Sequence, residues 1–414
     1  MSRTREQVAV ILDAPEIAPR STVATLSCER GAGKTVIAFA YEPGWLASPE
    51  AFAIDPALPL FEGDQYPANL PGILSDAAPD RWGRTLLERR EALVARREDR
   101  RPRELDDWDY LLGVADATRM GALRFAQHED GDFIDQGPLE VPPVTRLREL
   151  EHWAREAESG PPGDQSDEDR WVAMLVAPGS SLGGARPKAS FVQTDGTLWI
   201  AKFPSTSDRY DVGAWECIVS RLAQEAGIEV PTTEPMKLGS EFHTFCSKRF
   251  DRSSRGRRLY ASAMTLTGLS DNEDGSYLDI ARAIVNYGDP ENIEVDLEQL
   301  FRRVVFNVLT ANRDDHLLNH GFLRTPGGWR LAPAFDVNPA PGKPEHALAI
   351  DDRIRVPDLD LVTETAQHYR LTAAAASAIV RDVLNVVNGW RTVAGQFDLP
   401  QHQLERMAGV IGSR

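Results

Sequence analysis

Three observations predict an α+β chain with two lobes behind an N-terminal α+β domain. Short β-branched runs and Arg/Glu-rich helical segments fill residues 1–128; a strand-rich stretch with one helix begins near 171; from about 277 the chain is mainly helical. A small β-rich lobe followed by a large helical lobe is the order of a bilobal, protein-kinase-like fold, whose active site lies between the lobes. The expected division is an N-terminal domain over 1–128, a linker or excursion over 129–170, a small lobe over 171–252 and a helical catalytic lobe over 253–414.

The elements follow from local patterns. Residues 7–12, 22–27 and 35–41 are β-branched and read as strands. Asp80 to about Arg101 reads as a long helix, and Trp108–Val114 as another. Residues 127–170 lack apolar periodicity and carry Gly-Pro, Pro-Pro and acidic runs, with one helix near 144–158. An apolar Trp171–Val176 run and a Gly-rich turn over 180–188 come next. Strands at 189–193 and 198–203 are joined by Thr194-Asp-Gly-Thr197, a hairpin turn. Trp215, Ile218, Val219, Leu222, Ala223 and Ala226 recur at helical spacing, and Gly227 ends that helix. Strands follow near 235–239 and 242–249, then helices at 277–286, 296–311, 359–368, 371–390 and 401–411.

The chain has 414 residues, 42% hydrophobic and 26% charged, as in a soluble globular protein of two or three domains. A net charge of −17 argues against a broad hold on nucleic acid, because phosphate contacts need Lys and Arg. The basic run Arg96, Arg97, Arg100, Arg101 and Arg103 is diluted by Glu98, Asp99 and Glu104 and reads as a solvated helix end. Cys28, Cys217 and Cys246 form no CxxC pair, so a reducing cytoplasm is expected. No stretch approaches the roughly 18 apolar residues of a membrane span, and the first apolar run is too short for a signal peptide.

The chemistry concentrates in Asn312-Arg-Asp-Asp-His-Leu-Leu-Asn319 and in Asp336, after a hairpin-length gap. An Asp followed five residues on by Asn, then a second Asp, is how kinase-like phosphotransferases place a base and two metal ligands. Asp314 is the candidate base, and Asn319 and Asp336 the candidate Mg²⁺ ligands. Asn312 and His316 are expected to support the loop, and Phe335 and Val337 to anchor Asp336. Gly31-Ala-Gly-Lys-Thr35 is not a P-loop: Cys28 stands where the first Gly belongs, and a strand follows, so it reads as a hairpin turn. Gly183, Gly184 and Ala185 with Lys188 form a better phosphate loop. Lys202 ends an apolar strand and is the candidate for the α/β-phosphates, with Glu216 on the next helix as its partner.

Together these segments resemble the HipA family, serine/threonine-kinase toxins of bacterial toxin–antitoxin modules, over nearly the whole chain. Leu74–Arg84 and Leu111–Phe125 match the family's N-terminal motifs; Ser181–Lys188, Lys202, Lys248–Arg252, Asn312–Asn319 and Leu331–Pro339 match its kinase core in order. The resemblance implies a Mg²⁺- and ATP-dependent kinase acting on a translation component such as glutamyl-tRNA synthetase. It implies ATP binding by the 181–188 loop, Lys202 and the segment bearing Arg249, and self-inhibition by autophosphorylation at Ser181. It also implies a HipB-like helix-turn-helix antitoxin on a separate chain, so that DNA is reached only indirectly. Two departures stand out: Leu318 replaces a frequent Lys, and Arg186-Pro187 occupies the loop. A small-molecule kinase and a non-enzymatic co-repressor remain open as alternatives.

Overall fold

A computed structural model describes residues 4–31, 34–129, 131–134, 141–159, 175, 186–270 and 274–412. They form two compact units: Met1–Thr206 with Asp251–Ala261, and Ser207–Phe250 with Ser262–Arg414.

The first unit is built on an antiparallel sheet. β1 (Thr4–Leu12), β2 (Ser21–Gly31), β3 (Lys34–Tyr41) and β4 (Leu123–Ala126) are ordered β3-β2-β1-β4. Val10, Leu12, Val23, Leu26 and Phe39 are buried, which fixes the register. Gly31 pairs with Lys34, so the Gly-Lys segment closes a hairpin as expected. β4 was not legible as a strand, because it is short and its partner β1 is distant in sequence.

The helix Arg81–Arg97 in this unit is capped by Asp80, whose Oδ1 accepts from the Gly83 amide at 2.7 Å. Its basic end is ion-paired: Arg100 contacts Glu91 and Glu98. Arg119 is fully buried and donates to the carbonyls of Ala77, Leu111 and Val114. The amide of Gly121, at φ 77°, donates to Asp251 Oδ2 at 2.8 Å. A helix spans Leu147–Ser159, near the expected 144–158. β5 (Lys188–Val192) and β6 (Leu198–Lys202) form the expected hairpin, with Gly196 at φ 81° in its turn.

The second unit is mostly helical. Val212–Glu225 is buried on nearly every side. Its cap Asp211 accepts from Ala214 N and His243 N, both at 3.0 Å. A Cβ at Gly213 would stand 2.1 Å from the His243 carbonyl, so only glycine fits there. β7 (Thr233–Met236) and β8 (Thr244–Lys248) pair antiparallel, β7 lying earlier than the expected 235–239.

Ile293–Thr310 is the central helix, with Leu297, Leu300, Phe301, Val304, Val305 and Leu309 buried. Tyr277–Tyr287 and Ala373–Asn388 pack against it. The helix expected over 371–390 ends at Asn388; Gly389 breaks it and Trp390–Ala394 starts a short new one. The stretch expected over 359–368 is an α-helix to Glu364 that tightens into a 3₁₀ turn. Cys28, Cys217 and Cys246 are buried free thiols, and burial pushes the Cys28 thiol up to about 11. Among the described residues no helix is long and apolar enough to cross a membrane.

Candidate functional site

The loop after the central helix is shaped by an abrupt stop. Ala311 takes a left-handed conformation, φ 54°, and the Asn312 amide turns back to the Asn307 carbonyl at 3.0 Å. The Asn312 side chain, 1% exposed, donates to Asn307 Oδ1 at 3.0 Å. This side-chain bond ties the first residue of the loop to the last turn of the helix.

Two adjacent aspartates then face opposite ways. Asp315 is 3% exposed and accepts from Tyr277 Oη at 2.8 Å, Asn307 Nδ2 at 2.8 Å and His320 Nε2 at 2.7 Å, all on Oδ2. Burial alone would push its carboxyl up; the His320 ring and these hydrogen bonds outweigh that and hold it below the ordinary carboxylate range. Asp314, one residue earlier, keeps a side chain 63% exposed. A buried acid pins the loop and leaves its neighbour reachable, the placement a proton acceptor needs.

The expectation for His316 needs correction. His316 is exposed, and the histidine that braces the loop is His320, 2% exposed with its Nε2 on Asp315. An aspartate with three donors fixes a ring far better than a solvent-facing position does. Asn319 is 9% exposed, and its Nδ2 donates to the Asp314 carbonyl at 3.2 Å. That bond commits the amide donor and leaves Oδ1 as the atom able to ligate a cation.

Asp336 arrives by the expected hairpin. Gly321–Arg324 and Trp329–Leu331 pair, with Phe322 opposite Leu331. Arg303, buried in the central helix, donates Nη2 to the Ala332 carbonyl at 2.6 Å, and the Ala334 amide donates to Glu229 O at 2.7 Å. Burial lowers the Arg303 pKa to about 10, against the opposing charge of Asp315. Phe335 packs on Phe250, ring centroids 5.4 Å apart, and Val337 is buried. Between these anchors Asp336 takes φ 56°, a left-handed conformation that costs a non-glycine residue on the order of 1 kcal/mol. Asn338 Nδ2 donates to its Oδ1 at 3.1 Å. Arg303, Asp315, Asn319, His320, Phe335 and Val337 line one small cavity, so loop and turn meet.

A Mg²⁺ ion fits this donor set. Mg²⁺ takes hard oxygens, uses one or two protein ligands and completes its shell with water and phosphate. The Asp336 carboxylate and Asn319 Oδ1 are such donors. Among the described residues no cluster of three His, Cys, Asp or Glu side chains is arranged as a cage for an ion.

Other candidates divide between the units. In the first, Lys188 departs from expectation. Its side chain is 2% exposed, with Nζ on Asp80 Oδ2 at 2.8 Å, while Trp82 Nε1 donates to its carbonyl at 3.0 Å. An ammonium so buried on a carboxylate anchors β5 to the helix cap. Lys202 is half-buried at the end of β6, directly opposite Lys188 across the hairpin. In the second unit Glu216 is 1% exposed on the helix Val212–Glu225, and Arg249, after β8, is 3% exposed. Ser181, Gly183, Gly184 and Ala185 lie outside the described residues, as do the apolar positions 171–174 and 176. Sequence reasoning passed over Asp315, His320, Asn307 and Tyr277. Asn307 carried a signal: it stands on the apolar stripe of Leu300 and Val304 at helical spacing.

The fold, with its acidic loop and carboxylate turn, belongs to the kinase-like α+β class. A family model, "HipA-like C-terminal domain", matches residues 180–390, just over half of the chain, and "HipA N-terminal domain" matches 17–126. The chain belongs to the HipA family. It is similar to the HipA chain in a Shewanella oneidensis MR-1 structure of the toxin–antitoxin system HipA, HipB and its operator DNA, with 17% identity, a TM-score of 0.68, and coverage of 97% of this chain and 94% of that one. It is 26% identical over 189 residues to a Haemophilus influenzae protein named "Putative kinase", covering 39% of this chain and 54% of that protein. It is 29% identical over 161 residues to the Sinorhizobium fredii "Putative kinase Y4dM", covering 34% of this chain and 37% of that protein. The chain thus spans about half the length of the first of these relatives and about a third of the second.

Proposed function

We propose that this chain is a Mg²⁺- and ATP-dependent protein serine/threonine kinase, the toxin of a HipA-like toxin–antitoxin module in the cytoplasm. The observation that carries the reading is the pair of aspartates in one loop: Asp315 buried under three donors, Asp314 exposed beside it. In this reading the acceptor hydroxyl oxygen attacks the γ-phosphorus, the bond to the β–γ bridging oxygen breaks, ADP leaves, and the hydroxyl proton passes to Asp314. Asn319 and Asp336 hold the Mg²⁺ that shields phosphate charge when bound. Lys202 and the 183–185 loop hold ATP, Glu216 and Arg249 support the nucleotide side, and Lys188 serves as a structural anchor. Ser181 is the proposed autophosphorylation site; a phosphate there would add about −2 charge where ATP phosphates must sit.

The proposed protein substrate is a translation component such as an aminoacyl-tRNA synthetase. A HipB-like antitoxin is the proposed partner, supported by the fold shared with the Shewanella HipA of a HipA–HipB–operator complex. The net charge of −17 fits DNA contact through that partner and not through this chain. Mass spectrometry of the chain incubated with Mg²⁺ and ATP tests the reading. Phosphate is expected on Ser181 of the unaltered chain and none on Asp314→Ala; full phosphorylation of Asp314→Ala overturns the assignment.

A further inference from the structure

We propose that Lys343 is a catalytic residue of this kinase, supplying the ammonium that meets the transferred phosphoryl group at Asp314. The inference rests on the kinase reading and adds a residue that no motif contains. Lys343 lies seven residues beyond Asp336 in a segment without helix or strand, yet its Nζ contacts Asp314 Oδ1.

The segment carrying Lys343 is fastened to the base loop. The Ala340 amide donates to the Ala311 carbonyl at 2.8 Å, and the Ala347 amide to the Arg313 carbonyl at 3.0 Å. The Arg313 guanidinium donates to the Lys343 carbonyl, and the Lys343 amide closes a turn onto Ala340 O at 3.1 Å. Lys343 is thus delivered to Asp314 by backbone bonds on both sides of it.

Stability does not account for the contact. The Lys343 and Asp314 side chains are 49% and 63% exposed, and an exposed pair of this kind adds little to the fold. The chemistry does call for a cation here. Asp314 and Asp336 are two acidic side chains that the phosphates of ATP must approach in this reading. Within 311–320 the one Lys or Arg is Arg313, whose guanidinium is turned to the Lys343 carbonyl, and Leu318 is apolar and 38% exposed. A flexible ammonium can hold the base carboxylate before substrate arrives, then turn to phosphoryl oxygens as negative charge builds on them.

Steady-state kinetics of the full chain test this. In Lys343→Met, kcat is expected to fall by about tenfold to a hundredfold, with KM for ATP changing by less than about threefold and the melting temperature unchanged. Lys343→Arg should keep most of the activity, and Leu318→Lys added to Lys343→Met should restore part of it by bringing charge from the loop itself. Unchanged kcat in Lys343→Met overturns the inference while the kinase reading stands. A rise in kcat also overturns it and marks the contact as a brake on the base. A fall in kcat that tracks a lower melting temperature, with no rescue by either lysine or arginine, overturns it in favour of a structural role. Phosphate transfer that survives Asp314→Ala overturns the kinase reading, and this inference with it.

Discussion

Asp314 and Asp315 are neighbours with the same functional group and opposite surroundings. The sequence carried both in one motif, and spacing alone chose Asp314 as the candidate base. It could not show what Asp315 does, because Tyr277, Asn307 and His320 reach it from three separate places. Removing a charge that buried donors have been built around leaves them unsatisfied, at a cost of about 3–5 kcal/mol. Asp315→Ala should therefore lower global stability by that order in urea unfolding, whereas Asp314→Ala, at an exposed position, should leave it within about 0.5 kcal/mol. Lys188 teaches the converse lesson. Its place after a Gly-rich turn suggested a phosphate ligand, and its contact with the Asp80 carboxylate, far away in sequence, was not legible from that turn.

At the level of elements, periodicity carried most of the helices and the hairpins. The central helix, the β5–β6 hairpin and the helix Val212–Glu225 all follow from local pattern and turn chemistry. What local pattern missed was non-local: β4 exists because β1 offers it an edge. The end of the central helix was foreseen near 311, but its mechanism was not. Ala311 bears a left-handed φ of 54° without glycine's freedom. Ala311→Gly should relieve that strain and stabilise the chain by about 1 kcal/mol, seen as a raised melting temperature. Activity should be retained if the Asn312 amide keeps its bond to the Asn307 carbonyl.

For the whole molecule, pH dependence follows from a buried neutral imidazole. His346 is 2% exposed, and burial lowers its pKa from 6.5 to about 4. Between those values the unfolded chain binds the proton and the folded one does not, so stability falls as pH drops from about 6.5 toward 4. Urea unfolding at pH 7 and pH 5 should differ by about 2 kcal/mol from this group, and His346→Gln should remove that part of the difference. No composition or motif could have exposed it, since His346 lies in a segment whose burial depends on tertiary packing. Family membership, by contrast, was legible, because several short motifs recur in order along the whole chain.

The tie between Gly121 and Asp251 also bears on how the protein is made. Asp251–Ala261 belongs to the first unit, although the chain has by then spent Ser207–Phe250 in the second. Asp251 accepts from the Gly121 amide, and Arg252 donates to the Arg119 carbonyl at 2.8 Å. A ribosome that has released only the first 206 residues has therefore released an unfinished unit, its Gly121 amide still waiting for an acceptor. The first unit completes after part of the second has emerged, so the two cannot mature strictly one after the other.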